Sequence, residues 1–224
     1  MISQYTFSFD LPIWKIQYNI SENTEDQKYL AIETRNKNQV EWSVIDIEAN
    51  KTVWQEAPAE TNWWTTLSGF DDNYLILDCY SGTNEPVASQ KLYLDKATGR
   101  VIEKLTPNQN QPKTHWQNLI AYQQSDSYYD TISQFIEKII GQKCQNTIFY
   151  GEIAENIILV YYICVPDTSA LSPFLLVVSS QKVVLLHKPI EAGSNNILYE
   201  LCIYNQNQLV YLSSSNALSI VSFF

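Results

Sequence analysis

Asn73-Tyr74-Leu75-Ile76-Leu77-Asp78, and later Leu92-Tyr93-Leu94-Asp95-Lys96-Ala97-Thr98-Gly99-Arg100-Val101-Ile102, reads as two β-strands and a hairpin that starts a third. Asp95 opens the turn through a side-chain hydrogen bond, and Gly99 supplies the positive φ that a tight hairpin needs. The same order occurs once before. Lys28-Tyr29-Leu30-Ala31-Ile32-Glu33 is followed by Ile45-Asp46-Ile47-Glu48-Ala49-Asn50-Lys51-Thr52-Val53-Trp54. Tyr29 and Tyr74 are 45 residues apart, Val53 and Val101 are 48 apart, and Trp64 and Trp116 are 52 apart. Each unit opens on tryptophan: Trp14, then Trp63-Trp64, then Trp116. A period near 45–50 residues with about four strands per repeat matches a propeller blade. A unit of this kind cannot bury both faces alone and must stack on a neighbour.

Working outward, further strands are expected at Tyr5–Phe9, Ile13–Tyr18, Val40–Ile47, Thr52–Gln55 and Trp63–Ser68, with turns at Asn36-Lys37-Asn38 and Asp71-Asp72-Asn73. Val40, Trp42 and Val44 alternate with polar residues, the period of a half-buried strand. The pattern breaks at Ser127–Gly141. Tyr128, Tyr129, Ile132, Phe135, Ile136, Ile139 and Ile140 there share one helical face. Ser127 and Asp130 have capping-box spacing, and Gly141 suits a helix end. Strands resume with Thr147–Glu152, Asn156–Cys164, Phe174–Ser179, Val183–His187, Leu198–Tyr204, Leu209–Ser213 and Leu218–Phe224. The expected fold is therefore all-β. It is a propeller-like array of four to five antiparallel four-stranded sheets, closed or incomplete, with one inserted helix near 127–141. The chain is read as a single domain over 1–224, with units near 5–56, 57–105, 113–165 and 172–224. The apolar last strand needs cover, and pairing with Tyr5–Phe9 would provide it.

Composition limits function. The chain has 224 residues, a net charge of −10 and 17% charged residues. Its only arginines are Arg35 and Arg100. Nucleic-acid binding and docking on an anionic membrane both need clustered cations, and neither is expected. No basic segment followed by an apolar run opens the chain, so a cytoplasmic location is expected. Cys79, Cys144, Cys164 and Cys202 form no C-x-x-C pair and read as small buried hydrophobes.

Phe7-Ser8-Phe9, Pro12-Ile13-Trp14-Lys15-Ile16, Leu30-Ala31-Ile32-Glu33-Thr34-Arg35, Trp63-Trp64 and Leu94-Asp95-Lys96-Ala97-Thr98-Gly99 together carry a resemblance. So do Phe174-Leu175-Leu176-Val177-Val178-Ser179 and Leu185-Leu186-His187-Lys188. The sequence resembles an uncharacterised, mainly Bacteroidetes family, domain-of-unknown-function family 4905. The resemblance implies a bacterial protein with a propeller-like all-β fold, and it implies no catalytic residues. The Asp95-x-x-Thr98-Gly99 turn is also similar to quinoprotein-type propeller repeats, where the first copy carries Asn50-Lys51. This is read as shared blade geometry, and no cofactor is expected.

No reactive constellation stands out. His115 and His187 lack metal-ligand spacing. There is no nucleophile elbow, and six glycines leave little material for a phosphate-cradling loop. Asp71-Asp72 and Glu22-Asn23-Thr24-Glu25-Asp26 read as solvated turns. Trp63-Trp64 is the least ordinary feature. Strand alternation sends one indole inward and the other outward or into a neighbouring sheet. Burial of both between stacked sheets is the leading expectation, and an exposed indole would stack on a sugar or anchor a protein. The reading is a non-catalytic binding module for an unknown protein or small polar ligand. Trp63, Trp64, Asp71, Asp72 and Trp116 are its candidate surface, and edge strands offer a route to oligomers. The alternative is a hydrolase or carbohydrate-active enzyme using Asp71, Asp72 and Asp78 beside Trp63 or Trp64.

Overall fold

The computed structural model describes residues 2–19, 28–81, 87–102, 116–164, 170–190 and 202–224. His115, the acidic run 22–26, and the prolines at 107 and 112 lie outside them. In chain order the first half holds β1 (Ile2–Ser8), β2 (Ile13–Tyr18), β3 (Tyr29–Arg35), β4 (Val40–Asp46), β5 (Lys51–Glu56), β6 (Thr65–Phe70), β7 (Tyr74–Ser81), β8 (Val87–Asp95) and β9 (Val101–Ile102). The second half holds β10 (Gln117–Asn118), β11 (Ile120–Tyr122), α1 (Tyr129–Ile140), β12 (Gln145–Ile153), β13 (Asn156–Cys164), β14 (Leu171–Val178), β15 (Val184–Pro189), β16 (Cys202–Tyr204), β17 (Gln208–Ser214) and β18 (Ala217–Phe223).

The fold is all-β, built from four antiparallel sheets of four or five strands. Three are simple meanders: β2-β3-β4-β5, β6-β7-β8-β9 and β11-β12-β13-β14-β15. The fourth runs β1-β18-β17-β16-β10, so the first strand sits at one edge beside the last, and the mid-chain β10 forms the other edge. The break between the last two sheets falls after Pro189, so β14 and β15 complete the third sheet, not the fourth. Tyr5 faces Ile220 in the β1–β18 pair, the cover expected for the apolar last strand. The strands divide into two compact units. One holds β2 to β9, and the other holds β1 with everything from Trp116 onward. No helix among the described residues is long and apolar enough to cross a membrane.

In the unit of β2 to β9, two sheets pack face to face. Ala31, Val40, Trp42, Val44 and Trp54 from one meet Leu67, Phe70, Leu75, Leu77, Leu92 and Leu94 from the other. Fully burying each of the larger side chains is worth about 1.5–3 kcal/mol. Ser43 and Ile45 are buried along with Val40, Trp42 and Val44, so β4 is covered on both faces and is not half-buried. The Trp54 indole docks on the β8–β9 hairpin and donates to the Lys96 carbonyl at 2.6 Å. A Cβ at Gly99 would stand 2.8 Å from that ring.

One turn device recurs in both units. The side-chain oxygen of Asn36, Asp46, Asp71, Asp95 or Asn205 accepts backbone N–H groups two and three residues ahead. This holds each hairpin locally. Asn50 and Gly99 occupy the same place in the two related turns, with φ of 51° and 70°. The first copy therefore aligns Ala49-Asn50 with Thr98-Gly99, one residue earlier than the sequence reading sets it.

In the other unit, α1 covers β12 to β14. Tyr129 and Ile136 are buried with Ile148, Leu159, Tyr161, Leu176 and Val178. Gly141 ends the helix in the left-handed region, as its sequence suggests. The start differs from expectation. Tyr128 is the N-cap with no side-chain cap bond, so Ser127 and Asp130 form no capping box. Asp126 instead closes the preceding turn by accepting the Gln123 N–H at 2.6 Å. His187, on the exposed rim of β15, bonds through Nε2 to the Tyr161 hydroxyl at 2.8 Å. The ring face lies on Tyr161 and Phe174, and this partial desolvation holds the His187 imidazole below its ordinary pKa of 6.5.

Two outcomes follow from this packing. Gly99→Ala meets both a positive φ and the Trp54 ring, and is expected to cost about 2–4 kcal/mol. Gly141→Ala has open space around it and is expected to cost about 1 kcal/mol. Urea titration of the two variants measures the difference. For His187 the folded state favours the neutral ring. Its contribution is present above the unfolded value of 6.5 and drains as pH falls through the lowered one. Urea midpoints between about pH 8 and 5 should fall less steeply for His187→Asn than for the wild type.

Candidate functional site

Trp63 and Trp64 stand in a turn ahead of β6, not within a strand. Alternation does not apply there, and both indoles reach the surface, 40% and 51% exposed. This corrects the expectation that they are buried between sheets. They meet edge to face at 5.3 Å. Asn62 shapes the turn by accepting the Trp64 N–H at 2.8 Å. The Trp63 Nε1–H donates to the Asn36 carbonyl at 2.9 Å, which ties the ring to the β3–β4 turn.

Arg35 lies behind the ring. Its Cζ is 5.3 Å from the Trp63 ring centre and 5.2 Å from that of Trp14, which is itself 45% exposed. Arg35 donates to the carbonyls of Thr65 at 2.9 Å and Trp63 at 3.4 Å. It is paired with Glu33, which is fully buried. The other Glu33 oxygen accepts the Leu67 N–H at 2.5 Å and the Thr66 hydroxyl at 2.9 Å. Glu33 thus neutralises the arginine and satisfies an amide of β6, an edge strand of its sheet. A buried cation between two indoles is worth about 2 kcal/mol or more. Trp14 and Trp63 rest on the guanidinium, and Trp64 leans on Trp63.

The other expected residues separate. Asp71 accepts the Asn73 and Tyr74 N–H groups at 2.9 and 2.8 Å, so its carboxylate shapes the β6–β7 turn. Asp72 is half-buried beside it. Asp78 faces Lys91 across the β7–β8 pair at 3.5 Å. Trp116 is 2% exposed and offers no stacking face. No group of three His, Cys, Asp or Glu able to hold a metal occurs among the described residues. The sequence reading missed Glu33, Arg35 and Trp14 as site residues. A signal was present: Glu33 and Arg35 are two apart on a strand, and Arg35 is one of two arginines in the chain.

A groove of about 310 Å³ opens beside Trp63, between the β3–β4 turn and the connection from β5 to β6. Asn38, Gln39, Glu41, Pro58 and Asn62 line it with Trp63. In the other unit, an apolar groove of about 350 Å³ lies over α1, walled by Tyr122, Tyr128, Ile132, Phe135 and Tyr150. Burial, and then the hydrogen bond it donates to Glu152, push the Tyr150 hydroxyl up to about 12.

Removing Glu33 leaves a buried guanidinium without a counter-charge. Glu33→Ala is expected to cost about 3–5 kcal/mol. Glu33→Leu combined with Arg35→Met is expected to cost less than the sum of the single changes. A double-mutant cycle in urea reads that coupling directly.

No curated protein matches the chain. Residues 23–102 match the model of the family described as a domain of unknown function, DUF4905. The match contains Glu33, Arg35, Trp63 and Trp64, and it falls on the family that the sequence resembles.

Proposed function

We propose that the protein is a non-catalytic binding module, with Trp14, Trp63 and Trp64 as its contact surface. The observation that carries this reading is the set of three exposed indoles: Trp14 and Trp63 braced on the buried Arg35–Glu33 pair, and Trp64 set edge to face against Trp63. Exposed indoles gathered in one place are costly to keep in water and mark contact sites. Tryptophan and arginine are also the residues most enriched where binding energy concentrates. Rings held by hydrogen bonds and a fixed cation lose little freedom on binding, which favours affinity. The hydrolase alternative draws less support, because Asp71 is engaged in its turn and Asp78 faces Lys91. The four free thiols suit a reducing, cytoplasmic setting in a bacterial cell.

The test is retention of components of native lysate on immobilised protein, together with a thermal-shift ligand screen. Trp64→Ala changes an exposed ring that is not stacked on Arg35, so its thermal midpoint should stay near that of the wild type. A component held by the wild type and lost by Trp64→Ala is the expected outcome. Retention of nothing, with no ligand raising the midpoint, removes the reading.

A further inference from the structure

We propose that the groove beside Trp63 is a saccharide site that takes a neutral sugar segment. This rests on the binding role given to the tryptophan surface and specifies its ligand. At about 310 Å³ the groove is at the lower end of small-molecule sites, roughly 300–1,000 Å³. One wall is an indole, and the rest divides between polar side chains (among them Gln39, Glu41 and Asn62) and apolar ones (among them Val40 and Pro58).

The hydrogen-bond accounts of those side chains decide the ligand chemistry. Asn36 donates to Gln39 Oε1 at 3.3 Å, which orients the Gln39 amide and leaves its NH₂ donors available. Asn62 uses its oxygen on the Trp64 N–H and keeps its NH₂. Gln55 donates to Glu41 Oε2 at 2.8 Å, leaving Oε1 as an acceptor. The groove therefore offers pinned donors and a pinned acceptor next to an aromatic wall. A sugar hydroxyl both donates and accepts, and a sugar ring has an apolar C–H side that packs on an indole. Glu41 is the one charged side chain in the lining, so an anionic ligand is repelled. Arg35 already fills the space between Trp14 and Trp63, so that position is closed to a cationic ligand. The Trp63 ring is fixed by its bond to Asn36 and by Arg35, so stacking costs it little rotamer freedom.

The test titrates the full chain with maltotetraose, cellotetraose, xylotetraose and chitotetraose, and with tetragalacturonate as an anionic comparison. Tryptophan fluorescence and calorimetry are the readouts. The expected result is saturable binding of at least one neutral sugar, with tetragalacturonate at least about tenfold weaker. Affinity should fall at least about tenfold in both Trp63→Ala and Gln39→Ala. Gln39 is an exposed turn residue, so Gln39→Ala should keep the wild-type thermal midpoint and separates lost contact from lost folding. No saturable binding of any neutral sugar up to about 10 mM overturns the proposal. So does binding that neither variant weakens. If no sugar binds but a lysate protein is held in a Trp64-dependent manner, the saccharide assignment falls and the binding surface stands. If both fail, both fall.

Discussion

Glu33 and Arg35 are two residues apart on β3 and so emerge on one face of the sheet. That face also carries Ala31 and is directed at the neighbouring sheet of the same unit. Two charges there would ordinarily be expelled to water. They are held because each meets the other, and because β6 and the turn ahead of it supply what remains: an amide and a hydroxyl for Glu33, two carbonyls for Arg35. The pair closes one end of the interface between the two sheets. At the other end, Trp54 closes it through Lys96 and Gly99. The tryptophan surface depends on the first of these ends, since Trp14 and Trp63 both rest on Arg35.

The turns have a simpler cause. Each relies on a short polar side chain that bonds its own backbone within three residues, so its geometry needs little from distant parts of the chain. This is why the device recurs at Asn36, Asp46, Asp71, Asp95 and Asn205 across sheets in both units. The same logic removes Asp71 from consideration as a free acid. Gly99 is more constrained than its relative Asn50, because it must satisfy a positive φ and also leave room for an indole from the preceding sheet.

Much of the architecture was legible from residue patterns. The strands, the hairpin turns, the helix with its glycine end, and the pairing of the first strand with the last all follow from local periodicity or from an apolar strand that needs cover. The misses share a cause. Ser127 and Asp130 have the spacing of a capping box, yet Asp126 organises the turn before the helix instead. Trp63-Trp64 looks like the start of a strand, and alternation then places one indole inside. Asn62 bonds the Trp64 N–H and makes the pair a turn, which frees both rings.

The sequence by itself determined which segments are strands and where most of them turn, because alternation, short polar side chains and glycine act within a few residues. It also determined a surface poor in cations, since only two arginines and twelve lysines are available. Tertiary structure decided the fate of the functional candidates. A glutamate and an arginine at alternate strand positions look the same in sequence whether they face water or the edge of another strand. Only the docking of β6 against β3 supplies the amide, hydroxyl and carbonyl partners that allow them to be buried. That burial in turn fixes where the tryptophans stand.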